Sequence, residues 1–243
     1  IERQQIVVSI SIGVAVGPSD GMDFPCLLRN AEMAMYKAKE AGRRTWCYYN
    51  AALDTEMRGR LYLINGLRLA LEREEFFLEY QLQLDLASGS VVGAEALLRW
   101  QHPQWGLVAP GQFIPAAEQS GLIVGIGEWI ILEACRQATR WQAEGLDIPR
   151  VAVNVAAMQL HQGSLEQTVA AALAQTGLPA SALELELTDS SLVDNTEQVM
   201  IALAGLKALG VTLSIDDFGT GYSCLAYLRR LSVDTLKIDR SFV

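Results

Sequence analysis

From residue 76 onward the chain alternates between candidate strands and candidate helices, and this alternation restricts the possible folds more than any other feature. The candidate strands are 76–84, 91–100, 150–155, 183–188, 212–217 and 234–239. Helical spacing of apolar residues lies between them, at 128–143, 164–175 and 195–208. Repeated strand–helix units predict an α/β fold with parallel strands and crossover helices. The alternation by itself leaves open whether the sheet is doubly wound or closed into a barrel.

The first two of these strands depart from the parallel arrangement. They are separated by a short turn at Ala87-Ser88-Gly89. A parallel crossover needs a dozen or more residues, so this first pair is predicted to be antiparallel.

The chain before residue 76 has a different organisation. Residues 6–16 read as a buried strand, 24–41 as a helix and 43–49 as a short strand, which is too little for a whole domain. We therefore predict the end of one domain at 1–50, a connecting helix at 51–75 and a second domain at 76–243.

Most strands of the second domain have an apolar face and a polar group near the C-terminal end. Side chains alternate along a strand, so in LELEL (183–187) the leucines oppose Glu184 and Glu186. The same alternation in LSIDDF (213–218) places Ser214 and Asp216 opposite Asp217. Barrel enzymes place their chemistry at the C-terminal ends of parallel strands. The candidate set is Glu95, Asn154, Glu186, Asp216, Asp217 and Lys237.

The residue types in this set indicate a metal. A buried lone carboxylate needs a cation or another partner. Oxygen ligands without His or Cys favour Mg²⁺ or Mn²⁺ over Zn²⁺. Adjacent Asp216 and Asp217 would serve two ions, an arrangement suited to phosphodiester hydrolysis. Taken singly, each polar residue also fits a solvated face or a structural ion pair, and only their recurrence over several strands favours the functional interpretation.

Charge and cysteine usage restrict the partners and the compartment. The net charge of −9 disfavours binding to a nucleic-acid polymer, which needs clustered Lys and Arg. The four cysteines form no CxxC pair, which predicts reduced thiols in the cytoplasm. No stretch reads as a membrane span. The chain lacks an initial Met and opens inside a strand, so we expect a piece of a longer protein, with any sensor or membrane anchor outside it.

Six stretches resemble the motifs of EAL domains, in that family's order and spacing over 76–243. They are GAEALLRWQHP (93–103), FIPAAEQSGLI (113–123), VAVNV (151–155), LELELTDS (183–190), IDDFGTGYS (215–223) and DTLKIDRSFV (234–243). The resemblance implies a TIM-like (β/α)8 barrel with an antiparallel first strand pair. It also implies hydrolysis of cyclic di-GMP to linear pGpG.

The resemblance implies a role for each matching residue. Glu95, Asn154, Glu186 and Asp216 would bind the first metal ion, and Asp217 the second. Lys237 would orient or activate the attacking water, so Lys237, Asp217 and Glu95 form the expected catalytic group. Arg99, Gln81 and Asp239 would contact the substrate. Asp189, Gly219, Thr220 and Gly221 would belong to a mobile loop that covers the metals and supports a homodimer.

The N-terminal piece resembles the end of a GGDEF domain, an α+β fold. The matching stretches are VSISIGVAV (8–16) and LLRNAEMAMYKAKEAGRR (27–44). Lys39 and Arg43 match phosphate-contacting positions of that family, and a solvated basic helix end explains them equally well. The GGDEF motif itself would lie upstream.

Several positions depart from the EAL pattern. Leu82 replaces a proline, Val155-Ala156 replaces Leu-Ser, and Asp189 replaces a loop-steadying Glu, which predicts reduced activity. The family also continues with two more strands, one with a metal-associated Glu and one with a nucleotide-contacting Gln. We therefore expect an incomplete barrel, weak or inactive as given.

Two interpretations of the intact domain follow from this pattern. The first is an active phosphodiesterase, favoured because Glu95, Asn154, Glu186, Asp216, Asp217 and Lys237 are all retained. The alternative is a catalytically weak EAL domain that acts as a cyclic di-GMP receptor. A whole protein with net cyclase activity is a third possibility that the missing upstream sequence would decide.

Overall fold

The structure is a computed structural model, and it describes residues 9–42, 44–188, 197–219 and 232–242. The chain divides into two compact units, Ile1–Asn65 and Gly66–Val243. In the described part, no helix combines the length and apolarity needed to cross a bilayer.

The first unit contains a two-stranded parallel sheet covered by a helix. Strand β1 (Ile12–Val14) pairs with β2 (Trp46–Tyr48), and α1 (Phe24–Glu40) packs on β1. Helix α1 begins where Asp23 accepts a hydrogen bond from the Cys26 amide at 2.8 Å. Gly13 allows the close approach, because a Cβ there would overlap the backbone of α1. The strands are shorter than predicted from 6–16 and 43–49, and Arg43 lies outside the described residues, whereas Lys39 is exposed in the last turn of α1.

Helix α2 (Ala51–Ala70) corresponds to the predicted connecting helix but ends five residues early. The chain then turns, and Glu74 adopts a positive φ of 55°. The Glu75 amide donates back to the Ala70 carbonyl at 2.9 Å, which closes the helix end.

The second unit is built on a seven-stranded sheet with the order β3-β4-β6-β7-β8-β9, and a short β5 pairs with β4. The strands are β3 (Phe76–Leu84), β4 (Val91–His102), β5 (Gly106–Val108), β6 (Val151–Val155), β7 (Leu183–Thr188), β8 (Thr212–Phe218) and β9 (Thr235–Ile238). The β3–β4 pair is antiparallel, as predicted, and β4 through β9 are parallel along the main path. In the described part, β3 and β9 are the two ends of this path.

Helices connect and cover the parallel strands. They are α3 (Pro110–Ser120), α4 (Ile123–Ala143), α5 (Ala157–His161), α6 (Leu165–Thr176) and α7 (Glu197–Leu209). The predicted helices correspond to α4, α6 and α7, whereas β5, α3 and α5 were not predicted from the alternation.

The core of this unit comes from the apolar faces of the central strands. Leu183, Leu185 and Leu187 of β7 are fully buried, and so are Leu213 and Ile215 of β8 to within a percent. The outermost strand differs: Leu236 and Ile238 of β9 are exposed by 42% and 65%. In the described part, β9 is the sheet edge, which explains the difference.

Candidate active site

Strand register brings the predicted polar residues to one end of the sheet. Gln81 of β3 lies opposite Glu95 of β4. Asn154 of β6 is in register with Glu186 of β7, and Thr188 of β7 with Asp216 of β8. Because the neighbouring strands are parallel, their C-terminal ends meet along one edge.

Four side chains join these strands into one network. The Asn154 amide donates to Glu95 Oε1 at 2.8 Å. The Lys237 ammonium donates to Glu186 Oε1 and lies 3.5 Å from Glu95 Oε2. Lys237 therefore links β9, at one end of the described sheet path, to β7 and β4, and its single positive charge lies beside two carboxylates.

Burial dominates the electrostatics of Glu186. Its side chain is almost inaccessible, at 1% exposure for the residue. Desolvation raises the pKa of the Glu186 carboxyl to about 7, although Lys237 acts in the opposite direction and lowers it. The nearby Glu95 and Asp216 carboxylates raise it further. The site thus holds more negative charge than a single ammonium compensates.

Lys237 responds to the same environment. Burial alone would lower the pKa of the Lys237 ammonium, but its hydrogen bond to Glu186 and the charges of Glu186, Glu95 and Asp216 outweigh burial and raise it. Lys237 therefore stays protonated at neutral pH and donates hydrogen bonds.

Asp217 occupies an unusual backbone position at the end of β8. Its φ of 54° lies in the left-handed region, beside a register irregularity between Ile215 and Phe218. The predicted alternation, which placed Asp217 opposite Asp216, is therefore interrupted here. Desolvation, then the charges of Asp216 and Asp239 and a hydrogen bond with Asp239, raise the pKa of the Asp217 carboxyl. Asp216, Asp217 and Asp239 thus form an acidic group.

Arg99 is held by a partner that the sequence reasoning missed. Its Nε donates to Glu79 Oε2 at 2.6 Å, and its guanidinium also donates to the Leu98 carbonyl at 2.9 Å. Glu79 lies diagonally across the hairpin, because Phe77 is the direct partner of Arg99. Glu79 could have been identified by aligning β3 and β4 as an antiparallel pair, because the register places it two residues from the direct partner of Arg99.

Of the predicted loop residues, Gly219 alone lies within the described part. Its φ is 102°, a backbone conformation that favours glycine, and an added Cβ would also lie 2.8 Å from Cε2 of Phe242. Asp189, Thr220 and Gly221 lie outside the described residues.

The residues present fit a divalent cation. In the described ranges, two buried side-chain atoms have no hydrogen-bond partner, Glu186 Oε2 and Ser214 Oγ, and these two residues are in register. A buried carboxylate oxygen without a hydrogen-bond partner would be stabilised by a bound cation. Within those ranges no three His, Cys, Asp or Glu side chains are grouped to hold an ion by themselves. The amide oxygen of Asn154 would have to contribute.

A cavity of about 550 Å³ opens beside the network. Arg99, Asn154 and Thr188 form part of its wall, and apolar residues of α3 and α4 form much of the rest. The site therefore combines an acidic strand edge, one guanidinium and an apolar recess large enough for part of a nucleotide-sized ligand.

Comparison with known proteins identifies the family of each part of the chain. The sequence profile "EAL domain" matches residues 64–243, and "Diguanylate cyclase, GGDEF domain" matches residues 1–45. The bifunctional diguanylate cyclase/cyclic di-GMP phosphodiesterase MucR of Pseudomonas aeruginosa is 45% identical over 243 residues, covering 100% of this chain and 36% of MucR. The cyclic di-GMP phosphodiesterase PdeR of Escherichia coli is 38% identical over 239 residues, covering 98% of this chain and 36% of PdeR. The chain thus spans about a third of these curated relatives.

Solved structures show the same fold. The PaMucR phosphodiesterase in complex with c-di-GMP superposes with a TM-score of 0.71 at 48% identity, over 74% of this chain and 73% of that one. The EAL enzyme Bd1971, bound to cAMP and cyclic di-GMP, gives a TM-score of 0.71 at 31% identity, over 89% and 56%. The predicted TIM-like barrel class is thereby confirmed. The chain belongs to the EAL domain family, preceded by the end of a GGDEF domain.

Proposed function

We propose that the EAL domain is a metal-dependent phosphodiesterase that hydrolyses cyclic di-GMP to linear pGpG. The observation that carries this proposal is the network in which Lys237 joins Glu186 and Glu95 while Asn154 is hydrogen-bonded to Glu95. The names of MucR and PdeR and the PaMucR complex with c-di-GMP support the choice of substrate.

The proposal assigns the ion ligands as Glu95, Asn154, Glu186, Asp216 and Asp217. Mg²⁺ or Mn²⁺, in a pair, would supply positive charge to the phosphoryl oxygens. The unpartnered Glu186 Oε2 and the surplus of carboxylates support this ligand set. Arg99, fixed by Glu79, is proposed to contact a phosphate of the substrate, with Gln81 and Asp239 nearby.

In the proposed reaction, water adds to one phosphorus and the bond to the 3′ oxygen breaks. Lys237 keeps its proton between two carboxylates, so it orients the water by donating a hydrogen bond. Asp217, the exposed carboxylate of the site, accepts the proton that the water loses. Asp217 then releases this proton to solvent, and the departing 3′ oxygen takes up a proton from solvent, which leaves a 5′-phosphate and a free 3′-hydroxyl.

The remaining parts of the proposal concern context. We place the protein in the cytoplasm and expect a homodimer through the EAL domain. Asp189, Thr220 and Gly221, with Gly219, are proposed to form the loop over the ions, and Asp189 is proposed to hold it less firmly than Glu would.

The test is a nucleotide hydrolysis assay on the intact protein, with chelator and with added Mg²⁺ or Mn²⁺. We expect pGpG to appear only with metal, and Glu95→Ala to reduce the turnover at least ~100-fold, as loss of a group that acts on the reacting atoms does. Glu144→Ala is the matched control, because Glu144 is exposed at the end of α4. Tight binding of cyclic di-GMP without turnover at saturating metal would instead favour a receptor.

A further inference from the structure

We propose that Gln159 is a positioning residue for the active site, because its buried amide fixes the strand end that carries Asn154. The inference rests on the proposed function, in which Asn154 binds an ion. Gln159 lies in α5, a helix that the strand–helix alternation did not predict.

Gln159 and Ala156 are joined by two reciprocal hydrogen bonds. The backbone N–H of Ala156 donates to the side-chain Oε1 of Gln159 at 3.0 Å. The backbone N–H of Gln159 donates to the Ala156 carbonyl at 3.0 Å. Ala156 stands two residues after Asn154 and has no polar side chain to cap α5 itself. Both backbone groups of Ala156 are therefore held by Gln159, at the point where the chain leaves β6.

The Gln159 side chain rests against helix α4 at a glycine. The side chain is buried, with 4% exposure for the residue, and a Cβ at Gly127 would lie 2.6 Å from its Cδ. Glycine inside a helix is destabilising relative to alanine, so its presence calls for a specific contact. The missing Cβ at Gly127 provides the space for the amide.

The same amide faces the substrate side of the unit. Gln159 and Gly127 form part of the wall of the 550 Å³ cavity, together with Asn154 and Arg99. An apolar side chain at 159 would leave the Ala156 N–H without its acceptor in a half-buried position, which is costly. The strand end would then shift, and the Asn154 amide that contacts Glu95 at 2.8 Å would move with it.

The first experiment compares Gln159→Met with Gln159→Glu in the intact protein. Both keep the side-chain length, but only Glu keeps an oxygen that can accept from Ala156. Residues behind metal ligands typically affect ion affinity ~10–100-fold. We expect Gln159→Met to raise the half-saturating Mn²⁺ concentration by a factor in that range, measured by direct Mn²⁺ titration and by activity. For Gln159→Glu, the half-saturating Mn²⁺ concentration should stay within about threefold of the wild-type value. Hydrogen exchange of the Ala156 backbone amide should accelerate in Gln159→Met alone.

The second experiment disturbs the amide from the other helix. Gly127→Ala should weaken Mn²⁺ binding, whereas Gly125→Ala is the matched control, because a Cβ there meets only Leu71 Cδ1 at 3.8 Å. In a Gln159→Ala background, Gly127→Ala should have little further effect, since the clash is gone. The comparison of Gly127→Ala with Gly125→Ala keeps Gln159 in place, so it remains measurable if Gln159→Met fails to fold.

The outcomes separate two failures. A wild-type protein without hydrolysis and without Mn²⁺ binding contradicts the proposed function and, with it, this role of Gln159. An active wild-type protein whose Gln159→Met variant folds with unchanged Mn²⁺ affinity contradicts the role of Gln159 alone. Equal effects of Gly127→Ala in both backgrounds would also overturn it.

Discussion

At the scale of single residues, the site is governed by the burial of one carboxylate. Glu186 sits at 1% exposure in the middle of the sheet, and its only described partner is Lys237. Burial penalises the charged form more than the ammonium favours it, so the pKa of Glu186 rises to about 7. Without a divalent ion, folding therefore stabilises the protonated form of this group.

This leads to a prediction for stability against pH in metal-free buffer. A carboxyl whose pKa is raised by folding contributes stability below its unfolded pKa, near 4.5, and loses it as pH rises to about 7. The loss corresponds to roughly 3 kcal/mol. Glu186→Gln cannot titrate, so the unfolding free energy of the wild type minus that of the variant should fall by that amount between pH 4.5 and 7.

Urea unfolding in chelator at several pH values measures this difference. Glu144→Gln serves as the exposed control and should show no such trend. A constant difference between wild type and Glu186→Gln over the whole range would show that the raised pKa is wrong.

At the scale of elements, the sequence predicted the strands better than the short connections. Alternating side chains identified β4, β6, β7 and β8, because each buries one apolar face against helices. Helix α3, which contains Pro115, and the five-residue helix α5 gave no comparable periodic signal. Short elements are determined by tertiary partners, such as Gly127 beneath Gln159, that a linear pattern does not reveal.

The candidate site shows the same limit. Resemblance and alternation selected Glu95, Asn154 and Glu186, and the structure brings these together. Alternation treated β8 as an uninterrupted strand and placed Asp217 opposite Asp216. The irregularity in β8 lies in its pairing with β9, which alternation along one strand does not reveal. Glu79 was missed because its contact with Arg99 depends on hairpin register rather than on its own sequence neighbours.

The positive φ of Asp217 leads to a prediction about the end of β8. The left-handed region costs an ordinary residue roughly 1–2 kcal/mol but costs glycine almost nothing. Asp217→Gly should therefore be more stable than Asp217→Ala by about 1 kcal/mol. Both variants remove the same carboxylate, so the comparison isolates the backbone.

Asp216 provides the matched control at the adjacent position. It lies within β8, in register with Thr188, and is not among the residues with positive φ in the described part. There the order should reverse, with Asp216→Ala more stable than Asp216→Gly. Chemical denaturation of the four variants is the measurement, and the same order at both positions would contradict the assigned backbone.

At the scale of the whole molecule, the net charge of the chain has the same sign as that of the proposed ligand and therefore disfavours its approach. The net charge is −9, and cyclic di-GMP carries two phosphate charges of the same sign. A protein that binds a nucleic-acid polymer gains from clustered cations and loses affinity steeply with salt. Here attraction is local, at Arg99 and at any bound ions, whereas the more distant field repels the nucleotide.

The prediction is that added KCl speeds the association of cyclic di-GMP. The screening length falls from about 30 Å at 0.01 M to about 8 Å at 0.15 M, so distant carboxylates are screened before the closest contacts. At saturating Mg²⁺, the association rate constant should rise by a factor of roughly two to five over this range. Stopped-flow fluorescence with a labelled nucleotide measures it.

Charge reversal on an exposed surface tests the cause. Glu144 and Asp147 are exposed near the end of α4 and lie outside the proposed ligand set, so the variants are Glu144→Lys and Asp147→Lys. Each reversal removes one negative charge and adds one positive charge, so the double variant should associate faster at low salt and depend less on KCl. A rate constant that falls with KCl in the wild-type protein would mean that the local field of Arg99 and the ions controls the encounter. In that case the net charge of −9 would not control the rate at which the domain binds cyclic di-GMP.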